Sequence, residues 1–123
     1  MELKEILKDY DEFEGAYVTS YTLKLDNETI YNIEKHESDY CGRIAIFETS
    51  KNKYHNISIY DKLQKELEGQ FEESSEGLDE DSVVNAQDIC YNYEFTTYNS
   101  QGQLEELFNN AIKALEKISK GVI

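Results

Sequence analysis

The sequence predicts an α+β domain in which helices cover one face of an antiparallel sheet of four or five strands. Strand-like runs dominate the first half of the chain, a strictly alternating apolar run lies near residue 90, and a strong helical repeat follows it. Because the strand-like runs are grouped and the helical repeats lie at their ends, an antiparallel sheet covered on one side is the favoured architecture. The predicted element order is α-β-β-β-β-α-β-α.

The first half contains a predicted helix, four predicted strands and a second helix. Apolar residues at helical spacing predict a helix over residues 2–13, carried by Leu3, Ile6, Leu7, Tyr10 and Phe13. Strand-forming residues predict two hairpins, with strands at 17–25, 29–34, 43–49 and 54–60. The polar stretch 35–41 between the hairpins predicts a loop. A four-residue repeat then predicts a short helix from Asp61, through Leu63 and Leu67, to about Phe71.

The second half is predicted to contain a loop, a strand and a long helix. Residues 72–82 are rich in serine, glycine and acids, and they predict an acidic loop. Strict alternation predicts a strand from Ile89 to Thr97. The last helix is predicted over 103–119, with an apolar face made of Leu104, Leu107, Phe108, Ala111, Leu115 and Ile118. Glu105 and Glu106 are expected in its first turn, where the helix dipole favours acids.

The length and composition predict one domain, spanning residues 1–123. Hydrophobic residues make up 39% of the chain and aromatic residues 12%, which is enough to build a core without a metal or a disulfide. The first residues lack the basic and then apolar run of a secretory signal, and no apolar run is long enough to span a membrane. We therefore expect a cytoplasmic protein with no membrane contact. Cys41 and Cys90 form no disulfide framework or zinc spacing, so we expect both thiols to be unpaired.

The negative charge is concentrated in one segment of the chain. The formal net charge is −14, and residues 66–112 hold 12 acids without a single lysine or arginine. Acids this dense repel one another, and interspersed lysines would relieve that repulsion, so their absence exceeds what solubility requires. The residues predicted to contact a partner are the acids in the densest part of this segment: Glu68, Glu72, Glu73, Glu76, Asp79, Glu80 and Asp81.

This charge distribution favours a basic protein as the partner. Concentrated negative charge repels nucleic acid and anionic membranes, whereas it attracts basic proteins and speeds their capture. We expect a small acidic binding protein that inhibits a basic, nucleic-acid-binding protein such as a toxin, a nuclease or a DNA-binding enzyme. Immunity proteins and phage-encoded inhibitors act in this general way. Two alternatives remain open: a purely solubilising role for the acids, and an enzyme or small-ligand domain with a pocket between the sheet and the helices.

No motif in the sequence predicts a catalytic site, a metal site or a cofactor. His36 lies in a run with Glu34, Glu37, Asp39 and Cys41, but these residues have no spacing typical of a catalytic site. Asp79, Glu80 and Asp81 lack the spaced pattern around a glycine that a calcium loop requires. Glycine-rich phosphate loops are absent from the sequence. We therefore expect a protein that is not an enzyme.

Overall fold

The structure is a computed structural model that describes residues 1–25, 30–50, 53–78, 89–98 and 101–123, with no side-chain description at 49–50, 53–58, 78, 89–90 and 101. Six strands and two helices follow one another in the order β1 (Glu2–Asp11), β2 (Ala16–Lys24), β3 (Ile30–Glu37), β4 (Gly42–Ser50), α1 (Lys53–Glu66), β5 (Glu73–Leu78), β6 (Ile89–Thr97) and α2 (Gln101–Ser119). The α+β class is confirmed. The sheet has six strands, more than the four or five predicted.

All neighbouring strands in the sheet are antiparallel. The spatial order is β1-β2-β3-β4-β6-β5, so the first four strands form a meander and β6 lies beside β4. Strands β1 and β5 are the two edges. Each edge strand has one hydrogen-bonded neighbour, β2 for β1 and β6 for β5.

The core lies between one face of the sheet and the two helices. Because side chains alternate across a strand, one set faces the helices and is buried: Leu23, Tyr31, Ile33, Ile44, Ile46, Tyr91, Tyr93 and Phe95. Most of the predicted apolar face of α2 is buried against this set, namely Leu104, Leu107, Phe108, Ala111 and Leu115, whereas Ile118 is only partly buried. A Cβ atom at Gly42 would lie 2.9 Å from the side chain of Leu104, so glycine allows α2 to approach β4 closely. The opposite face of the sheet, here called the open face, is not covered by either described helix.

The predicted first helix is wrong, because residues 2–11 form β1. Its apolar residues recur at helical spacing, yet every residue from Glu2 to Tyr10 is exposed. A repeat of apolar residues predicts a helix only when those residues are buried on one side. Strand β1 also contains a β-bulge at Ile6, which shifts the alternation of its side chains between the two faces of the sheet.

The predicted strand at 54–60 is also wrong, because these residues belong to α1. The β-branched residues of this stretch favour a strand locally. Ile59, Leu63 and Leu67 are nevertheless buried at four-residue intervals, and this packing on the sheet overrides the local preference. Helix α1 ends at Glu66, followed by a turn over residues 67–69 rather than a helix to Phe71.

Three further boundaries differ from the prediction. Residues 73–78 of the predicted acidic loop form the edge strand β5, and residues 79–82 lie outside the described residues. Strand β3 extends to Glu37 into the predicted loop at 35–41. Helix α2 begins at Gln101, so Glu105 and Glu106 lie beyond its first turn.

Neither helix of the described part combines the length and apolarity needed to cross a membrane.

Candidate functional site: an acidic end of the sheet

One end of the sheet brings together turns that are far apart in the sequence. Four strand pairings mark this end: Asp11 with Ala16, Glu37 with Gly42, Gly42 with Thr97, and Glu73 with Thr96. The β1–β2 turn, the β3–β4 turn and the start of β5 therefore lie side by side. With neighbouring strands about 4.8 Å apart, the six strands span about 24 Å at this end.

Acidic residues of the two helices and their adjoining turns lie at this same end of the sheet. Gln103 accepts a hydrogen bond of 3.0 Å from Thr97 Oγ1 at the end of β6, which fixes the start of α2 there. Gly69, Gln103 and Glu106 help to line a cleft of about 140 Å³, so the turn after α1 lies beside the start of α2. We call the resulting surface the acidic end, and we define it by Asp11, Glu12, Glu14, Glu37, Asp39, Glu68, Glu72, Glu73, Glu105 and Glu106.

Exposed aromatic side chains lie among these acids. Phe13 is fully exposed, as is most of Tyr40 and about half of Tyr98. The turn that carries Phe13 is ordered by Asp11, whose Oδ1 accepts the backbone N–H groups of Phe13 at 2.9 Å and Glu14 at 3.2 Å. Gly15 closes this turn with a φ of 69°, a conformation that favours glycine. Phe13 is therefore held out into solvent by a turn with its own hydrogen bonds.

The β3–β4 turn is ordered in a similar way. Ser38 Oγ donates to the carbonyl of Cys41 at 2.9 Å and accepts the Cys41 N–H at 3.1 Å. Tyr98 lies at the other side of the acidic end, near the start of β5, where its backbone N–H donates to Glu72 Oε2 at 3.0 Å. A hydrogen bond between the Tyr98 hydroxyl and Glu73 is the main reason that the pKa of Tyr98 is raised.

Beneath the acidic end, on the open face, five ionisable side chains form a connected network. His36 Nδ1 lies 2.8 Å from Glu14 Oε2, and His36 Nε2 lies 2.9 Å from Glu34 Oε1. Arg43 donates to the other oxygen of Glu14 at 2.8 Å and to Glu94 Oε1 at 2.5 Å. We call Glu14, Glu34, His36, Arg43 and Glu94 the inner charge cluster. Glu14 is its bridge, since one carboxylate contacts both cations.

The carboxylates of this cluster favour the protonated form of His36. Burial lowers the pKa of His36 and the nearby Arg43 lowers it further, but the hydrogen bonds to Glu34 and Glu14 outweigh both effects. The pKa of His36 is therefore raised above its ordinary value. Arg43 Nη2 lies 3.2 Å from His36 Nδ1. Because both groups are donors when His36 is protonated, we regard this distance as a close approach of two cations that Glu14 holds together.

Lys35 is the third basic residue near this end, and it is also paired. Its side chain lies on the helix side of β3, and its Nζ contacts Glu105 at 2.5 Å and Glu37 at 3.5 Å. The same nitrogen lies 5.0 Å from the ring centroid of Phe108, within cation–π range. Burial lowers the pKa of Lys35, but the hydrogen bond and charge of Glu105 outweigh it, so the pKa is raised.

A cleft of about 470 Å³ opens beside the inner charge cluster. Its lining includes the carboxylates of β1 and its turn, together with Tyr10, Phe13, Val18, Glu34 and His36. The cleft lies on the open face, whereas the expected alternative was a pocket between the sheet and the helices. Both ring nitrogens of His36 contact carboxylates, so neither is available to accept a proton from a substrate.

The predicted partner-binding residues are only partly gathered at this end. Glu68, Glu72 and Glu73 lie there and are exposed. Glu76 is exposed too, but it lies within β5 and opposite Tyr93, on the helix side of the sheet. Asp79, Glu80 and Asp81 lie outside the described residues. None of Glu68, Glu73 and Glu76 forms an ion pair with another residue of the described ranges.

The sequence reasoning missed the acids of the first forty residues. Residues 9–14 read Asp-Tyr-Asp-Glu-Phe-Glu, with four acids and two aromatics. This local run was a usable signal, but the lysines elsewhere in the first half of the chain concealed it when charge was summed over that half. Glu37 and Asp39 give no such signal, because only the register of β3 and β4 brings them to the acidic end.

The cysteines and possible metal ligands form no reactive centre in the described part of the chain. Cys41 is a free thiol, and its Sγ lies 3.4 Å from Ser38 Oγ. Cys41 precedes Gly42 at the acidic end, whereas Cys90 pairs with Thr49 near the opposite end of the sheet. The separation along the strands is about 25 Å, far beyond disulfide range. Within the described ranges, no group of three or more histidine, cysteine, aspartate or glutamate side chains is arranged to hold a metal ion.

Comparisons of this chain with protein-family models, curated proteins and solved structures found no match.

Proposed function

We propose that this protein binds a basic, nucleic-acid-binding protein through its acidic end and inhibits it by occupying the surface that otherwise contacts phosphates. The partner would be a toxin, a nuclease or a DNA-binding enzyme. One observation carries the proposal: exposed carboxylates and exposed aromatic side chains from separate turns lie together at one end of the sheet.

The state of the basic residues supports a partner that supplies its own positive charge. Lys35, His36 and Arg43 are each already paired with carboxylates of the same chain, whereas Lys8, which is in register with Lys35 across β2, forms no ion pair with a described residue. The outer acids, such as Glu12, Asp39 and Glu73, form no ion pair with any described residue. Their charge therefore remains available to attract external cations.

The exposed aromatic side chains favour a protein partner over small cations. Aromatic residues are enriched at the centres of protein interfaces, where a rigid ring fills a pocket of the partner. Phe13 is fully exposed and is mounted on an ordered turn, so little conformational entropy is lost when it inserts. A standard interface uses about 800 Å² per partner, or a patch roughly 28 Å across, and the acidic end spans a similar width.

The experiment compares two variants of equal net charge. The acidic-end variant carries Glu12→Gln, Asp39→Asn and Glu73→Gln, and the control variant carries Glu2→Gln, Asp61→Asn and Glu116→Gln. Each loses three of the negative charges. The wild-type protein first captures its partner from a lysate of the source cells at low salt. Association kinetics are then measured for the three proteins with the purified partner, together with inhibition of the partner's nucleic-acid binding or cleavage.

We expect the acidic-end variant to associate about tenfold more slowly at low ionic strength, because steering by complementary charge dominates the on-rate. The control variant should stay within about twofold of wild type, and high salt should remove the difference, since screening shortens the range of the interaction. Equal on-rates for both variants, or a captured partner that still binds nucleic acid, would refute the proposal.

Phe13 provides a second readout of the same interface. Phe13→Ser should leave folding unchanged, because the ring makes no packed contact, but it should increase the off-rate of the complex. Truncation of an interface anchor costs about 2 kcal/mol or more, close to thirtyfold in affinity. Tyr98→Ser is a useful comparison at the other side of the acidic end. If neither substitution changes the off-rate, the aromatic side chains do not contact the partner.

The alternative function is an enzyme or a small-ligand domain that uses the open-face cleft. A histidine and several carboxylates do line this cleft. The engagement of both His36 nitrogens speaks against general-base chemistry there. Phe13 also lines this cleft, but Tyr40 and Tyr98 are not among its lining residues. A small cationic ligand would therefore protect the amides of β1 and β3 from hydrogen exchange without involving Tyr40 or Tyr98, which separates the two functions experimentally.

A further inference from the structure

Strand β1 is a long edge strand whose apolar side chains meet no core. Leu3 is 39% exposed, Ile6 57%, Leu7 59% and Tyr10 49%. An exposed edge of this kind presents unpaired backbone groups and favours pairing with another strand. Natural edge strands are usually short or polar, and this one has ten residues. The residue order of β1 indicates which strand can pair with this edge.

The β-bulge decides which side chains of β1 share a face. Glu5 pairs with Tyr21 and Leu7 with Ser20, so Ile6 is the extra residue. Because of this extra residue, Glu5 and Lys8 lie on the same face although they are three positions apart. The helix side of β1 carries Leu3, Glu5, Lys8 and Tyr10, and the open face carries Glu2, Lys4, Leu7, Asp9 and Asp11.

The sequence of β1 is complementary to that of a second copy of β1 that runs antiparallel to it. When two copies are laid antiparallel about a two-fold axis at the bulge, the pairs that face each other are Leu3 with Tyr10, Lys4 with Asp9, and Glu5 with Lys8, while Ile6 and Leu7 meet at the centre. Every apolar residue meets an apolar residue, and every lysine meets an acid. The like-charged pair of Glu2 and Asp11 occurs only at the two outer ends.

This register is also allowed by the geometry of a sheet. A two-fold axis perpendicular to an antiparallel pair requires that paired residues lie on the same face. In a regular strand, residues whose numbers differ by an odd amount, such as Lys4 and Asp9, lie on opposite faces. The bulge at Ile6 removes this mismatch for Leu3 with Tyr10, for Lys4 with Asp9 and for Glu5 with Lys8. Bulge and charge order therefore support the same register independently.

We propose that two copies of this protein pair through β1, antiparallel and centred on Ile6 and Leu7, so that their sheets join into one continuous sheet. The contact is isologous, so each copy uses the same surface and the assembly closes at two. The other edge does not extend it, because the charged residues of β5, Glu73 and Glu76, are acids that repel their own copies. This inference does not depend on the proposed function, and the two acidic ends of the dimer point in opposite directions.

The net charge of −14 per copy opposes this association. Cross-strand pairs contribute only about 0.2–1 kcal/mol each. The dimer should therefore be concentration-dependent, and it should strengthen when salt rises from about 10 mM to 150 mM, because screening weakens the long-range repulsion between the two acidic molecules. A contact held mainly by the lysine pairs would instead weaken over the same range.

The test is a charge swap within β1, read by sedimentation equilibrium over a range of concentrations. Glu5→Lys places lysine opposite Lys8 of the second copy, and Lys8→Glu places glutamate opposite Glu5. Each substitution occurs twice per dimer, so each variant should dimerise at least tenfold more weakly. The double variant Glu5→Lys/Lys8→Glu restores opposite charges and should recover wild-type dimerisation to within about threefold. Asp61→Lys and Lys62→Glu, on the exposed side of α1, are the matched controls.

A mixture gives the sharpest outcome. The Glu5→Lys and Lys8→Glu proteins each repel themselves, but together they present lysines opposite glutamates at both positions. They should form a heterodimer when mixed, which also proves that both variants are folded. The proposal is overturned if wild type remains monomeric at millimolar concentration, if the single swaps have no effect, or if mixing does not restore the dimer.

Discussion

Two groups of described carboxylates lie within a few residues of each other and have different environments. Glu14, Glu34 and Glu94 belong to the inner charge cluster, where each contacts Arg43 or His36. Glu12, Asp39 and Glu73 point outward and have no ion pair with a described residue. Net charge alone therefore does not identify a binding surface. The outer acids, which form no ion pair in the described part of the fold, are the ones whose charge remains available at the surface.

The largest loss of stability is expected from a substitution in the core. Leu107 in α2 is fully buried between the helix and the sheet. Leu107→Ala should lower the free energy of unfolding by about 2–5 kcal/mol, because it removes buried surface and leaves a cavity. Urea denaturation measures this loss. A loss of less than about 1 kcal/mol would contradict the close packing of α2 on the sheet.

Removing the cation of the inner charge cluster should have the next largest effect. Arg43→Met leaves Glu14 and Glu94 facing each other without a guanidinium. The Arg43 side chain is 28% exposed, so we reduce the usual value for charged hydrogen bonds and expect a loss of about 1–2 kcal/mol in unfolding free energy. Lys113→Met, on the exposed face of α2, is the control and should change stability by less than about 0.5 kcal/mol.

A second substitution shows whether the carboxylates left without a cation cause the loss of stability in Arg43→Met. Adding Glu94→Gln to Arg43→Met removes one of the two carboxylates that lost their partner, and part of the stability should return. Glu94→Gln alone should be destabilising, because Arg43 then loses an anion. If the two substitutions simply add, the inner charge cluster does not act as a connected unit.

The raised pKa of His36 predicts a smaller, pH-dependent effect on stability. The pKa of His36 is raised in the folded protein above its ordinary value of 6.5. The stabilisation from protonated His36 is therefore complete below pH 6.5 and is lost as the pH rises through the raised folded-state pKa. The urea midpoint of wild type, relative to that of His36→Gln, should fall as the pH increases from 6 to 9. A constant difference between the two proteins over this range would contradict the assignment.

The outer acids should have the smallest effect on stability. The acidic-end variant described above removes three negative charges from exposed positions, so its unfolding free energy should change by less than about 0.5 kcal/mol or increase. Thermal denaturation at low salt, where repulsion is strongest, checks this. If this variant loses as much stability as Arg43→Met, the outer acids have structural partners and the distinction between the two groups fails.

The sequence predicted correctly those elements that have one buried side. Strands β2, β3, β4 and β6 and helix α2 were recognised from the sequence, because each has a buried side that imposes its period on the apolar residues. Strand β1 was mistaken for a helix, since its apolar residues are exposed and their spacing reports no buried face. The six residues of β5 contain one large apolar side chain, so they had no pattern to recognise.

The acidic end was predictable only within single segments of the chain. Glu68, Glu72 and Glu73 were identified because they lie close together in the sequence. Their proximity to Phe13 and Asp39 depends on strand register, which a single sequence does not specify. The inner charge cluster depends on it even more, because its five residues come from the β1–β2 turn, β3, β4 and β6.

The position of β6 between β4 and β5 affects how the protein is made. Strands β1 to β4 leave the ribosome first, but the free edge of β4 has no partner until Thr97 has been synthesised. At about 5–20 residues per second, the interval between Ser50 and Thr97 lasts about 2–10 s. During that time Ile44 and Ile46 lack the complete helix layer that later buries them. Residues 1–50 hold 12 acids and 5 basic residues, so the chain made by then has a net charge of −7, half of the final −14. The nascent chain is therefore most prone to aggregate early in this interval, before the acidic segment adds its repulsion.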